Sequence, residues 1–114
     1  MLLCPVYMYT GHLISLLFHF RSHTMEVVKV FSGSASKHLA LEVAKVLGIP
    51  LPTVEHHVFP DGEQRIQLRE DVVDQDVVVI QSTGIPTDQN YIELFLLLDA
   101  ASRNGAKSVT AVIP

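Results

Sequence analysis

The sequence predicts an α/β protein, an open sheet with an inserted β-hairpin, truncated after a strand. Three observations predict it. Short β-branched runs alternate with helical patterns. One run, Val77 to Gln81, is almost wholly apolar, as expected of a strand covered on both faces. An Asp-Gly pair, Asp61-Gly62, separates two extended runs, which is a hairpin signal. From Met25 the predicted order is β-α-β-β-β-α-β.

Each element has a local reason. Val27 to Phe31 is a β-branched run closed by Ser32-Gly33-Ser34. A helix follows from about Ser36 to Leu47, with Leu39, Ala40, Val43, Ala44 and Leu47 on one face. Ser34 or Ser36 can cap its start, and Gly48 followed by Pro50 ends it. Thr53 to Phe59 and Gln64 to Arg69 are the hairpin strands, joined by Pro60-Asp61-Gly62-Glu63. Thr87 can cap a second helix that runs to about Asn104. Its segment Ile92 to Ala101 is apolar on nearly every side, so it needs either a larger fold around it or another subunit against it. Gly105 stops that helix, and Ser108 to Ile113 reads as a last strand. Ligands of open α/β sheets bind beyond the carboxyl ends of the strands. A chain that stops there, at Pro114, reads as a fragment.

Composition narrows the function. The 114 residues hold 8 Lys+Arg against 12 Asp+Glu, a formal net charge of −4, which argues against a nucleic-acid module. One cysteine excludes a disulfide framework and a cysteine-based zinc cluster. Residues 1 to 24 differ from the rest: they carry a single charged residue, Arg21, while all 12 acids follow Met25. Pro5, Thr10, Gly11, His12, Ser15 and His19 interrupt any membrane span, so a membrane role is the weakest reading. A positive amino-terminal region and a small-residue cleavage site, the marks of a signal peptide, are both missing. Residues 1–24 therefore read as a leader or gene-model extension outside the fold. Residues 25–114 read as an incomplete domain, expected in the cytoplasm.

The candidate chemistry is sparse. Ser32-Gly33-Ser34, between a strand and a helix, could offer backbone N–H groups to an anion, but it lacks the lysine and second glycine of nucleotide-binding loops. A capping turn is the plainer reading. His56 and His57 fall on opposite faces of a strand, so they share no metal and read as surface residues. His38 has no histidine or cysteine four residues on. The turn Phe59-Pro60-Asp61-Gly62-Glu63 sets an aromatic ring beside two carboxylates able to accept from an exocyclic amine, a combination suited to adenine. Plain turn chemistry is its simpler explanation. Asp88 suits the positive end of a helix, whereas Glu93 and Asp99 among apolar neighbours read as paired structural carboxylates.

A resemblance sharpens these readings. Val30-Phe31-Ser32-Gly33-Ser34, Phe59-Pro60-Asp61-Gly62-Glu63, Gln81-Ser82-Thr83, Glu93-Leu94 and Thr110-Ala111-Val112-Ile113-Pro114 occur in this order. Together they resemble the N-terminal part of the ribose-phosphate diphosphokinase (PRPP synthetase) family, over about Val27 to Pro114. The resemblance implies a phosphoribosyltransferase-like fold, and transfer of the pyrophosphoryl group of ATP to ribose 5-phosphate with Mg²⁺. It also implies a homo-oligomer in which the hairpin reaches the adenine of a neighbour's ATP. Phe59 would stack on the base while Asp61 and Glu63, set by Gly62, meet its polar edge.

The same resemblance implies that the magnesium, pyrophosphate and ribose-phosphate sites lie beyond Pro114, so this chain alone is expected to be inactive. In phosphate-activated members a Ser-x-Arg segment follows the hairpin, where this chain has Asp71-Val72-Val73. An acid in that place removes attraction for an anion. The alternative is a non-catalytic α/β interaction or regulatory module whose hairpin and apolar helix bind a partner.

Overall fold

The computed structural model describes residues 6–9 and 28–114. Its elements are strand β1 (Val6–Tyr9), β2 (Val28–Ser32), a 3₁₀ turn at Ser34–Ser36, helix α1 (Lys37–Leu47), β3 (Val54–Val58) and β4 (Gln64–Leu68). These are followed by β5 (Asp76–Ile80), α2 (Thr87–Arg103) and β6 (Ser108–Val112). From β2 onward the order is the predicted one, with ends shifted by a residue or so. The reading of residues 1–24 as a leader lies outside the described residues except at 6–9. There, Val6–Tyr9 adds an edge strand to the sheet that the sequence reading had not assigned.

The main sheet is wholly parallel, in the order β1-β6-β5-β2. The hairpin β3-β4 is a separate antiparallel pair. Alternation along each strand builds two cores. Phe31, Val77, Val79, Val109 and Ala111 point to one side, where they meet Leu94, Leu97 and Ala101 of α2. Val54, Ile66 and Leu68 of the hairpin close that same core from outside. Val30, Val78, Ile80 and Val112 point to the other side, onto Ala40, Leu39, Val43 and Leu47 of α1. The sheet is thus the middle of three layers, and β5 is buried on both faces because each neighbour of its apolar run has a helix to meet.

Helix α1 ends as its sequence requires. Gly48 adopts the left-handed conformation at φ +69° and donates its N–H to the carbonyls of Ala44 and Lys45. The helix starts differ from expectation. Ser36 precedes α1, but neither it nor Ser34 caps the helix with its hydroxyl. The Ser34 hydroxyl is drawn to Glu93 of α2, and the Ser36 Oγ accepts the Ser82 N–H at 2.8 Å. Tertiary partners out-compete the local cap. Likewise Thr87 is the first residue of α2 rather than its cap; extended Pro86 holds that position, and Asp88 supplies the first-turn negative charge.

Helix α2 divides into two faces. Asn90, Glu93, Leu94, Leu97 and Ala101 are buried. Tyr91, Ile92 and Phe95 are exposed, with the Tyr91 and Phe95 rings 6.0 Å apart. The two carboxylates read as paired each have partners here, on different faces of the helix. Asp99 lies on the outer surface in an ion pair with Arg103, while Glu93 points into the fold. About one and two-thirds helical turns separate them, which places them on different faces. No helix among the described residues is long and apolar enough to cross a membrane.

Candidate functional site

Two arrangements of polar residues lie at this end of the fold. The first gathers at the carboxyl ends of the parallel strands. The Gly33 N–H donates to the Ile80 carbonyl, and the Gln81 N–H donates to that of Val112, so the three strand ends stay in step beyond their last paired residues. Into this place comes Glu93, only 2% exposed. Its carboxylate accepts the Ser34 N–H at 2.8 Å, the Ser34 hydroxyl at 2.5 Å and the Gln81 Nε2–H at 2.7 Å. The Gln81 Oε1 in turn accepts the Ala35 N–H at 3.2 Å.

The Ser32-Gly33-Ser34 turn therefore does receive an anion, and the anion is the protein's own. Three N–H or O–H donors converge on one buried carboxylate, the kind of satisfaction a buried charge requires. Gly33 is needed because a Cβ there would stand 2.1 Å from Gln81 Oε1 and 2.3 Å from Gln81 Cδ. The turn, the end of β5 and α2 are locked together at a single point.

The hairpin joins the same point through His56. Its Nε2 lies 3.0 Å from Gln64 Oε1, and its Nδ1 lies 3.4 Å from Glu93 Oε1. His56 is an exposed residue of β3, as its sequence reading expects, although one ring nitrogen reaches the buried Glu93. The two histidines do take opposite faces, as the strand period demands. Ser32, Ser34, Lys37, Leu51, Val54, His56 and Glu93 are among the residues that line an open cleft of about 300 Å³ between α1 and the hairpin.

The second arrangement is the outer face and tip of the hairpin. Phe59 and Glu63 close the ladder, with the Phe59 N–H donating to the Glu63 carbonyl at 2.8 Å. The three residues between them form a tight loop in which the Gly62 N–H donates to the Phe59 carbonyl at 2.9 Å. Gly62 sits at φ +89°, the left-handed position expected of glycine in a three-residue hairpin loop. The Asp61 Oδ1 accepts the Glu63 N–H at 3.0 Å. Asp61 thereby braces the loop with one oxygen, and the hairpin tip presents Phe59, Asp61 and Glu63 on exposed positions.

Behind the tip, registered pairs continue the outer face: His57 opposite Arg65, and Glu55 opposite Gln67. With Phe59 these four line a second open pocket of about 310 Å³. Phe59 and His57 meet edge to face, their ring centroids 4.4 Å apart at 76°. Arg69 at the base of the hairpin pairs with Glu55 at 2.5 Å.

The remaining candidates are quickly placed. Asp71 uses its Oδ1 to accept the Val73 N–H at 3.0 Å, and Val72 between them is fully buried. His38 is exposed on α1. No three His, Cys, Asp or Glu side chains among the described residues form a group that could hold a metal ion. Mg²⁺, implied by the resemblance, is usually held by one or two carboxylates with substrate phosphates and water, and no preformed all-protein site for it occurs among the described residues.

Sequence reasoning missed Glu93 as the centre of the first arrangement. A signal was present: Asn90, Glu93, Leu94, Leu97 and Ala101 share one helical face, and an acid on a face otherwise apolar needs donors brought to it.

Comparisons with known proteins agree with this geometry. Residues 28–114 match the family model described as the N-terminal domain of ribose phosphate pyrophosphokinase. Over 90 residues the chain is 44% identical to a ribose-phosphate pyrophosphokinase of Wolinella succinogenes, a match covering 79% of this chain and 29% of that protein. A chloroplastic ribose-phosphate pyrophosphokinase 2 of Oryza sativa is 45% identical over 87 residues, which is 76% of this chain and 22% of the relative. Among solved structures, phosphoribosylpyrophosphate synthetase from Mycobacterium smegmatis superposes with a TM-score of 0.74 at 32% identity, over 78% of this chain and 30% of that one. A purine phosphoribosyltransferase from Pyrococcus horikoshii shares the fold, with a TM-score of 0.60 at 18% identity over 95% of this chain and 75% of its own. The chain spans less than a third of the length of the pyrophosphokinases it matches.

Proposed function

Because this chain belongs to the ribose-phosphate pyrophosphokinase family, matching its N-terminal domain, we propose that it supplies the adenine-contacting hairpin of an enzyme that makes PRPP from ATP and ribose 5-phosphate. The observation that carries the reading is the hairpin tip. There a partly exposed aromatic ring, Phe59, stands beside the carboxylates of Asp61 and Glu63 on a loop fixed by Gly62. A purine stacks on an aromatic face, and its exocyclic amine donates to carboxylate oxygens. Asp61 has already given one oxygen to the loop, so its other oxygen and the Glu63 carboxylate are the acceptors for the base.

The roles divide by residue. Phe59 holds the base plane, Asp61 and Glu63 select an amino-purine over an oxo-purine, and Gly62 sets the bend. Transfer itself depends on positioning and on neutralising phosphate charge. No preformed metal site occurs among the described residues. We expect transfer to use groups from the rest of the enzyme, and this polypeptide by itself to form no AMP. A second copy of the chain is the natural neighbour. The exposed ridge of Tyr91, Ile92 and Phe95 on α2 is apolar surface that an oligomer would cover. We place the enzyme in the cytoplasm.

The test is kinetic, made on the protein encoded by the whole reading frame that contains this sequence. Phe59→Ala is expected to raise the KM for ATP about tenfold, the loss of one base–aromatic stack, while the KM for ribose 5-phosphate stays within about twofold. Equal KM values for ATP in the two proteins would refute the assignment of the tip to adenine. The same enzyme is expected to show no dependence on inorganic phosphate, because Asp71 puts a negative charge where an anion would otherwise be drawn. Stimulation by added phosphate would contradict that expectation.

A further inference from the structure

The outer face of the hairpin holds a residue that neither the turn motif nor its adenine assignment uses. His57 of β3 lies directly opposite Arg65 on β4 and two positions before Phe59, which follows the end of the strand. Its imidazole meets the Phe59 ring edge to face at 4.4 Å and 76°, a close contact at the short limit of aromatic pair distances. Phe59 is 38% exposed and belongs to neither core cluster of the described residues. An aromatic ring at an exposed hairpin tip would otherwise turn freely about its first side-chain bond. It would lose that freedom each time it stacked on a base.

We propose that His57 is a positioning residue for Phe59: it holds the phenyl ring in one orientation before nucleotide arrives, so that the base stacks on a ring already in place. The two rings, with Arg65, Gln67 and Glu55, bound the 310 Å³ pocket next to the tip. That volume accommodates a purine ring, and Phe59 and His57 form its aromatic wall. Arg65 stands across the strand pair from His57. Its guanidinium is turned along its own strand, with Nη2 donating to Gln67 Oε1 at 3.5 Å. The proposal rests on the adenine assignment of the tip, and it adds the residue that orders the stacking ring.

The experiment is a double-mutant cycle on the KM for ATP, using the protein encoded by the whole reading frame. His57→Ala is expected to raise the KM for ATP about 3- to 10-fold, the size of an aromatic pair contact or one immobilised side chain. His57→Phe, which keeps a ring in contact with Phe59, is expected to return the KM to within about twofold of the parent. In a Phe59→Ala background, His57→Ala is expected to add nothing, because the ring it positions is gone. A general loss of structure would add its effect in both backgrounds, so the cycle separates the two causes. If Phe59→Ala raises the KM and His57→Ala does not, the positioning role is overturned while the adenine assignment stands. An equal further rise in the Phe59→Ala background would also overturn it. If Phe59→Ala itself has no effect, the adenine assignment fails and the positioning role with it.

Discussion

Replacing Glu93 with alanine is expected to destabilise the fold by about 2–5 kcal/mol, because it leaves the donors gathered around one carboxylate without an acceptor. The buried carboxylate takes the Ser34 N–H, the Ser34 hydroxyl and the Gln81 amide, and it lies beside the His56 ring. These partners come from the turn after β2, the end of β5 and the hairpin, so a single truncation loosens three elements at once. A domain of this size commonly has a stability of about 5–15 kcal/mol, and the loss is a large share of it. Urea unfolding of the 114-residue chain, followed by circular dichroism, measures the change directly. Glu93→Gln keeps the volume and one acceptor oxygen but turns an NH₂ toward other donors, so an intermediate loss is expected. An alanine variant within about 1 kcal/mol of the parent, the usual range of surface changes, would show that the network does not hold the elements together.

Gly33→Ala is the second large effect, with an expected cost of about 2–4 kcal/mol from overpacking and lost hydrogen bonds. The backbone is not the obstacle, since Gly33 sits at φ −75°, where any residue is at ease. The obstacle is Gln81. A methyl group would stand 2.1 Å from its Oε1, and Gln81 is fully buried and held at both ends, by the Ala35 N–H and by Glu93. Either the side chain leaves its place and both bonds break, or the turn moves off the sheet. The cause is checked by a double variant. Gly33→Ala combined with Gln81→Ala should cost at least about 1 kcal/mol less than the sum of the single changes, because the clash disappears with the amide. Strict additivity would place the cost elsewhere.

The parts of the fold that could be read in the sequence are those set by short-range physics. The apolar run at β5, the Asp-Gly loop of the hairpin and the Gly48 stop of α1 each needed only their own neighbours to be recognised. The opposite facing of His56 and His57 likewise follows from the two-residue period of a strand. The family resemblance was read from motifs spread across the chain, and the match over residues 28–114 supports it.

What stayed hidden depends on residues far apart in sequence. Ser34 and Glu93 are separated by 59 positions and Ala35 and Gln81 by 46. Local propensity therefore assigned the serine hydroxyls to a helix cap, whereas the structure uses them between elements. Thr87 was expected to cap α2 for the same local reason, yet extended Pro86 already sets the entry to the helix. Glu93 and Asp99 were both read as paired carboxylates, but that only Glu93 turns into the fold depends on which helix face packs on the sheet. The bracing of Phe59 by His57 also escaped. The two stand two positions apart, but whether their rings meet is decided by the twist of the hairpin and the tightness of its loop.

The central claim is that these residues form part of an enzyme that transfers a pyrophosphoryl group from ATP. The most direct measurement is product analysis of the protein encoded by the whole reading frame, supplied with ATP, ribose 5-phosphate and Mg²⁺. AMP and PRPP formed in equal amounts is the predicted result, since cleavage between the α and β phosphorus atoms yields one of each. ADP in place of AMP, or no nucleotide product at all, would contradict the account.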